Sequence, residues 1–375
     1  MLRDSRSRAW SSALGALAAL LVGATLLARA WSPGVLRAAS TPPVAEARGP
    51  EGDGEGGQAK ATLILGAYTT PREAYAKAII PAFQKMWKAR TGEDVNFQTS
   101  YQGSGAQARA IIGGFEADVA ALSLEGDMNK LQSEGLIQHD WKQRGYSGMV
   151  SNSIVVLAVR KGNPKGIKDW ADLAQPGLNI LTPDPRTSGG AQWNINAVYG
   201  AALRGYVAGV PKGDKKAAQD FLVKVFKNVS IMDKGARESI TTFEKGVGDV
   251  AITYENEVLV GRMTGQTYDY VVPRSTILIE NPAAVVDTYV DKHKTRKQAE
   301  GFVDFLRTPE AQRGYAQYGL RPVDPAVARE VASKFPPVQD LWKIDFLGGW
   351  KKVGLEIYAA GGVWDKVQQQ VAASR

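Results

Sequence analysis

Pro183-Asp184-Pro185-Arg186-Thr187-Ser188-Gly189-Gly190-Ala191-Gln192-Trp193 is the stretch on which the reading of this chain turns. It follows an apolar run, Leu178 to Leu181, that reads as a buried strand. It precedes Trp193 to Leu203, whose apolar residues recur at helical spacing. Ser188, Gly189 and Gly190 therefore fall at the mouth of a helix. The first amides of a helix have no acceptor inside it and point outward, and the helix dipole adds partial positive charge there. Glycines let a ligand approach the backbone and a serine hydroxyl can add one more hydrogen bond, so the stretch is a candidate seat for a small oxyanion. For the motif alone, the plainer reading is the stronger one: a serine N-cap followed by glycines for a tight turn.

On either side, strands and helices alternate from Ala61 onward. Thr62 to Tyr68 reads as a strand. Arg72 to Arg90 reads as an amphipathic helix with Ala76, Ile79, Ile80, Phe83 and Trp87 on its buried stripe. Val95 to Ser100 and Ala117 to Leu122 are further strands, followed by helices at Ala106 to Gly113 and Met128 to Glu134. Ser153 to Arg160 is a strong apolar strand. Lys215 to Phe226 and Ser239 to Lys245 read as helices, and Val250 to Tyr254 as a strand. Short strands follow at Val271 to Pro273 and Pro282 to Asp287, then helices at Thr295 to Leu306 and Pro309 to Tyr318. Such a rhythm implies parallel sheets covered on both faces. The expected fold class is α/β in two units, with a crossover near Gly148 to Ile154 and a return near Tyr254.

The amino end reads differently. Arg3, Arg6 and Arg8 precede the apolar, small-residue run Ala13 to Leu27, and Ala28-Arg29-Ala30 has the pattern of a cleavage site. The apolar core is about 15 residues, short of the roughly 20 that span a bilayer. Residues 1–39 are therefore expected to be a signal peptide, with an uncleaved N-terminal anchor as the alternative. Residues 40–60, rich in Gly, Pro, Ala and Glu, read as a disordered linker.

Composition narrows the chemistry. The 375 residues include no cysteine, and the only histidines are His139 and His293. Disulfides, thiolate metal sites and a cysteine nucleophile are excluded, and a histidine metal cluster or His-based triad is not expected. The net charge of +8 comes from scattered Lys and Arg mixed with Asp and Glu, which suits a solvated basic surface rather than a nucleic-acid binder. There is no Walker A loop and no dinucleotide fingerprint. No G-x-S-x-G or H-E-x-x-H catalytic signature occurs either. Glu255 and Glu257 have the spacing of a carboxylate pair, and a structural role is expected for them.

The opening stretch has company. Tyr68-Thr69-Thr70-Pro71, Gly103-Ser104-Gly105 and Gly235-Ala236-Arg237 also lie between a strand and a helix. Ligands in parallel α/β folds bind at the carboxyl ends of strands. If the two units face one another, four such junctions converge on one cleft.

On these residues the chain resembles the periplasmic sulfate- and thiosulfate-binding proteins of ABC importers, over about Ala61 to Gln370. The resemblance is carried by Gly103-Ser104-Gly105, Gly114-Phe115-Glu116-Ala117-Asp118-Val119, Val159-Arg160-Lys161-Gly162-Asn163-Pro164, Thr187-Ser188-Gly189-Gly190-Ala191-Gln192-Trp193-Asn194, Gly248-Asp249-Val250, Tyr254-Glu255-Asn256-Glu257 and Phe346-Leu347-Gly348-Gly349-Trp350. It implies a type II periplasmic binding protein with two α/β lobes: residues 61–150 with 255–322, and 151–254, with a C-terminal helical segment, 323–375, packing on them. It implies no enzyme activity, no cofactor and no metal. The implied role is a monomeric periplasmic receptor that delivers sulfate or thiosulfate to a membrane permease. The implied ligand contacts are the amides of Thr69, Ser104, Gly189, Gly190 and Ala236, the Ser188 hydroxyl and the Tyr254 side chain, with Arg237 bracing the loop behind them. Two positions depart from the family pattern. Thr69 stands where many members have an aspartate, and Tyr254 where many have a tryptophan whose indole N–H donates.

Elementary chemistry agrees with that ligand class. Sulfate offers acceptors only, whereas hydrogen phosphate also carries a proton that needs an acceptor, and an unpaired buried polar group costs about 1–3 kcal/mol. The alternatives are a receptor for another tetrahedral oxyanion, such as molybdate or phosphate, and a secreted α/β hydrolase.

Overall fold

The computed structural model describes residues 61–374. The signal peptide or anchor expected at 1–39 and the linker at 40–60 lie outside the described residues. Ten strands are present among those described: β1 (Ala61–Tyr68), β2 (Val95–Gln102), β3 (Val119–Ala121), β4 (Met149–Val159), β5 (Ile180–Pro183), β6 (Val229–Asp233), β7 (Val250–Tyr254), β8 (Asp269–Val271), β9 (Ser275–Val285) and β10 (Asp340–Trp342). They hydrogen-bond in the order β2-β1-β3-β9-β4-β7-β5-β6, with β8 beside β4 and β10 beside β9.

Two long strands join two lobes. β4 is buried along almost its whole length, as its run Ile154-Val155-Val156-Leu157-Ala158-Val159 requires. Its first part pairs with β9 through Met149–Ile154, and its second part pairs with β7 through Val155–Val159, both antiparallel. β9 pairs with β3 at its far end, Ala283–Val285. In the first lobe β1 lies parallel between β2 and β3. In the second, β5 lies parallel between β6 and β7. Each lobe has its own apolar core. Phe83, Trp87, Phe302 and Tyr315 belong to one, and Trp170, Trp193, Phe226 and Trp364 to the other. Fully burying a side chain such as Phe83 or Phe302 stabilises by about 1.5–3 kcal/mol.

The crossover near Gly148 to Ile154 is β4. The return expected near Tyr254 comes later. Tyr254 ends β7, the helix Glu255–Met263 packs against β4 and β7, β8 still pairs with β4, and the chain goes back through β9. The short strands expected at Val271 to Pro273 and Pro282 to Asp287 fall at β8 and at the far end of β9, but β9 begins earlier, at Ser275, so Asn281-Pro282 lies inside it. The strand nevertheless runs through it, because Pro282 sits beside the irregularity of β4 between Met149 and Ser151, where a missing N–H costs least.

The strand-to-helix junctions differ from expectation in one consistent way. The helices begin on the small residues rather than after them: Ser104–Ile112, Gly189–Leu203 and Ala236–Glu244. Residues beyond 323 pack mainly on the second lobe, where the helix Val363–Ala372 lies against Lys215–Lys227. There Trp350 meets Trp193 edge-on at 4.7 Å.

Candidate functional site: a cleft lined by helix mouths

Four helices open toward one place. Ser104–Ile112 starts at the end of β2, Gly189–Leu203 follows β5, Ala236–Glu244 follows β6, and Glu255–Met263 follows β7. The N-cap residues Gly103, Gly235 and Tyr254 make no side-chain capping bond. The first amides of these helices have no acceptor within the helix, and their dipoles add positive potential where they meet.

The proposed contacts are neighbours. A Cβ placed on Gly190 would lie 2.7 Å from Tyr254 Cε2, 3.2 Å from Ala236 Cβ and 3.3 Å from Ser188 Oγ. One placed on Gly235 would lie 3.7 Å from Thr69 Oγ1. One placed on Gly189 would lie 2.6 Å from Ser123 Oγ, and the Ser123 amide donates to Ser104 Oγ at 3.0 Å. Thr69, Ser104, Ser188, Gly189, Gly190, Ala236 and Tyr254 are thus brought together, and all are buried. Neither glycine has room for a side chain, which would strike Ser123 of the other lobe at Gly189 and Tyr254 of the same lobe at Gly190, a cost that outweighs their poor helix propensity.

The lobes are closed on one another. The Ala106 amide donates to Thr187 O at 3.1 Å, and Arg109 Nη1 donates to Arg186 O at 2.8 Å. Trp193 Nε1 donates to Ser123 O at 2.9 Å, and the hydroxyls of Ser123 and Tyr254 are 2.6 Å apart.

Charges stand back from this cluster in neutralised sets. Arg237 bonds Glu73 in the first lobe and Glu257 in the second, each at 2.6 Å. Burial works against its charge, but the two carboxylates outweigh that and raise its pKa. Burial pushes the Glu257 carboxyl up while Arg237 opposes it. Asp127 is fully buried, and its oxygens accept from the Ser104 hydroxyl at 2.7 Å and from Lys130 Nζ at 2.8 Å. Burial raises the Tyr254 phenol well above its usual range, so it stays neutral and can donate a hydrogen bond. The arrangement can desolvate a small anion and surround it with oriented N–H and O–H dipoles. Among the described residues no group of three or more His, Cys, Asp or Glu side chains is placed to hold a metal ion.

The family model for bacterial extracellular solute-binding proteins matches residues 64–321. The chain belongs to that family. Among its relatives, the solute-binding protein is 46% identical to the sulfate-binding protein of Synechococcus elongatus, over 85% of this chain and 89% of that one. It is 37% identical to the thiosulfate-binding protein of Pseudomonas aeruginosa, over 83% of this chain and 94% of that one. Its structure resembles that of the sulfate-binding protein SubI from Mycobacterium tuberculosis, with a TM-score of 0.73 and 37% identity, covering 80% of this chain and 100% of the other.

Three residues of this solute-binding protein, Ser123, Asp127 and Glu73, carry no signal in the sequence. Ser123 and Asp127 follow β3 in a segment, Leu122-Ser123-Leu124-Glu125-Gly126-Asp127, with no glycine-hydroxyl signature at its strand end. Glu73 looks like an ordinary first-turn acid of a helix. Glu257 stands out in the sequence only as half of a pair with Glu255. The two glutamates lie in the first turn of a helix and part company there: Glu255 bonds Arg321, and Glu257 bonds Arg237.

Proposed function

We propose that this chain captures sulfate or thiosulfate outside the cytoplasm and delivers it to the membrane permease of an ABC importer. The observation that carries the reading is the meeting of Thr69, Ser104, Ser188, Gly189, Gly190, Ala236 and Tyr254, from both lobes, at the mouths of helices. In this reading the amides of Thr69, Ser104, Gly189, Gly190 and Ala236, with the hydroxyls of Ser188 and Tyr254, bind a dehydrated dianion. Arg237 braces the loop behind them. Relatives named for sulfate and thiosulfate support the ligand class.

The mechanism is hinge closure. β4 and β9 are the long strands that pass between the lobes, and small rotations along them open the cleft. Ligand binding stabilises the closed form because donors from both lobes reach the anion only then. The chain acts as a monomeric receptor and not as an enzyme, and residues 1–39 direct it to the periplasm. Calorimetry with sulfate, thiosulfate, molybdate and phosphate tests the reading. Heat with sulfate or thiosulfate is expected. Silence with both, alongside clear binding of molybdate or phosphate, overturns the ligand class.

A further inference from the structure

Two hydroxyls close the cleft from opposite sides. Ser123 follows β3, Tyr254 ends β7, and their oxygens lie 2.6 Å apart with both residues about 1% exposed. A Cβ on Gly189 would meet Ser123 Oγ, and a Cβ on Gly190 would meet the Tyr254 ring. The pair therefore stands over the first turn of the helix Gly189–Leu203. Either oxygen can be the donor in the bond between them. That freedom distinguishes a hydroxyl from an indole N–H, which only donates.

We propose that Ser123 is a specificity-determining residue. Through its bond to Tyr254 it lets the cleft reverse polarity at one point and hold a protonated tetrahedral dianion, such as hydrogen phosphate, beside the fully deprotonated one. The inference rests on the anion-binding reading of this cleft. When Ser123 donates to Tyr254, the phenol hydrogen is free for the guest, which suits an oxyanion with acceptors only. When Tyr254 donates to Ser123, the phenol oxygen keeps a lone pair for the guest, and a proton on the guest finds an acceptor. The change needs only the rotation of two O–H bonds. Asp127, the buried carboxylate nearby, is turned to the Ser104 hydroxyl and the Lys130 ammonium, which it accepts on its two oxygens.

The test is a ratio. The full chain is titrated calorimetrically with sulfate and with inorganic phosphate in mildly alkaline buffer, where phosphate is chiefly the hydrogen phosphate dianion. Ser123→Ala keeps the backbone groups that hold Ser104, Trp193 and Asn281 but leaves the phenol no partner with which to reverse. The affinity ratio of sulfate to phosphate is expected to rise about tenfold or more, the effect of leaving one buried proton unpaired. Tyr254→Trp, which installs a donor-only group, should move the ratio the same way and guards against a folding defect in the first variant. An unchanged ratio in both variants, or loss of both anions in equal proportion, overturns the proposal while wild-type sulfate binding leaves the anion seat standing. A wild-type chain that binds neither anion removes the anion seat and the proposal together.

Discussion

Arg237 and Glu73 are joined across the cleft, with Nη1 2.6 Å from Oε1. The same guanidinium holds Glu257, which is 1% exposed, at 2.6 Å on its own side. The two carboxylates are therefore unequal partners. Arg237→Met strands a buried charge, which is expected to cost about 3–5 kcal/mol of stability. Glu73→Gln removes only the partly exposed partner from the other lobe and is expected to cost about 1 kcal/mol or less. Denaturant unfolding of the ligand-free proteins measures both, and equal losses would refute the asymmetry.

Ser188 is a cap and a candidate donor at once. Its Oγ accepts from the Ala191 amide at 3.4 Å, long for a hydrogen bond, so the cap is weak and the hydroxyl hydrogen remains available. Ser188→Ala is expected to lower ligand-free stability by about 0.5 kcal/mol, the low end for a cap. It should weaken sulfate binding by about 1–3 kcal/mol. Unfolding and calorimetry on one preparation separate the two roles; an unchanged affinity makes Ser188 a cap only.

How much of this was legible in the sequence follows from what each signal depends on. The alternation of strands and helices is local, and it is enough to read an α/β chain. Glycine beside a hydroxyl at a strand end is also local, and it marks Ser104, Ser188, Gly189 and Gly190, whereas Ala236 follows a glycine alone. The helices begin earlier than the sequence suggests because glycine argues against a helix by propensity. At Gly189 its lack of a Cβ is demanded by the facing lobe and at Gly190 by the Tyr254 ring, both tertiary facts. The return is expected at Tyr254, where a strand ends, because the packing of the next helix and of β8 on β4 is a long-range fact. The Ser123 hydroxyl and the Glu73 carboxylate meet partners 131 and 164 residues away, so nothing near them in the sequence marks them.

His293 sits far from this chemistry and governs a pH response of stability. Its Nδ1 bonds Asp118 and its Nε2 bonds Glu116, each at 2.9 Å. Burial disfavours its charge, but the two carboxylates outweigh that and raise its pKa. A histidine with a raised folded pKa contributes stability that is fully present below its unfolded value of about 6.5. That contribution is lost as pH rises through the folded value. The melting-temperature gap between wild type and His293→Gln should therefore be widest in mildly acid buffer and narrow as the buffer is made alkaline. A gap that does not change with pH sinks this account.

Gly189 and Gly190 are adjacent but face different walls, and that separates stability from closure. The three atoms nearest a Cβ on Gly189 all belong to Ser123 and Leu124, the first of them 2.6 Å away in the opposite lobe. Those nearest a Cβ on Gly190 belong to Tyr254, Ala236 and Ser188, within the same lobe. Alanine in a helix is favoured over glycine by about 1 kcal/mol, whereas forcing a methyl into a packed contact costs about 1–3 kcal/mol. In Gly189→Ala the gain applies in open and closed forms alike, and the clash arises only on closing. Its ligand-free stability should equal or exceed wild type once the lobes part, while sulfate affinity falls by roughly tenfold or more. In Gly190→Ala the clash is present in both forms, so stability and affinity should fall together. Thermal melts and titrations on the pair decide it: matching behaviour of the two variants would mean that the facing wall at Gly189 does not come from a lobe that moves.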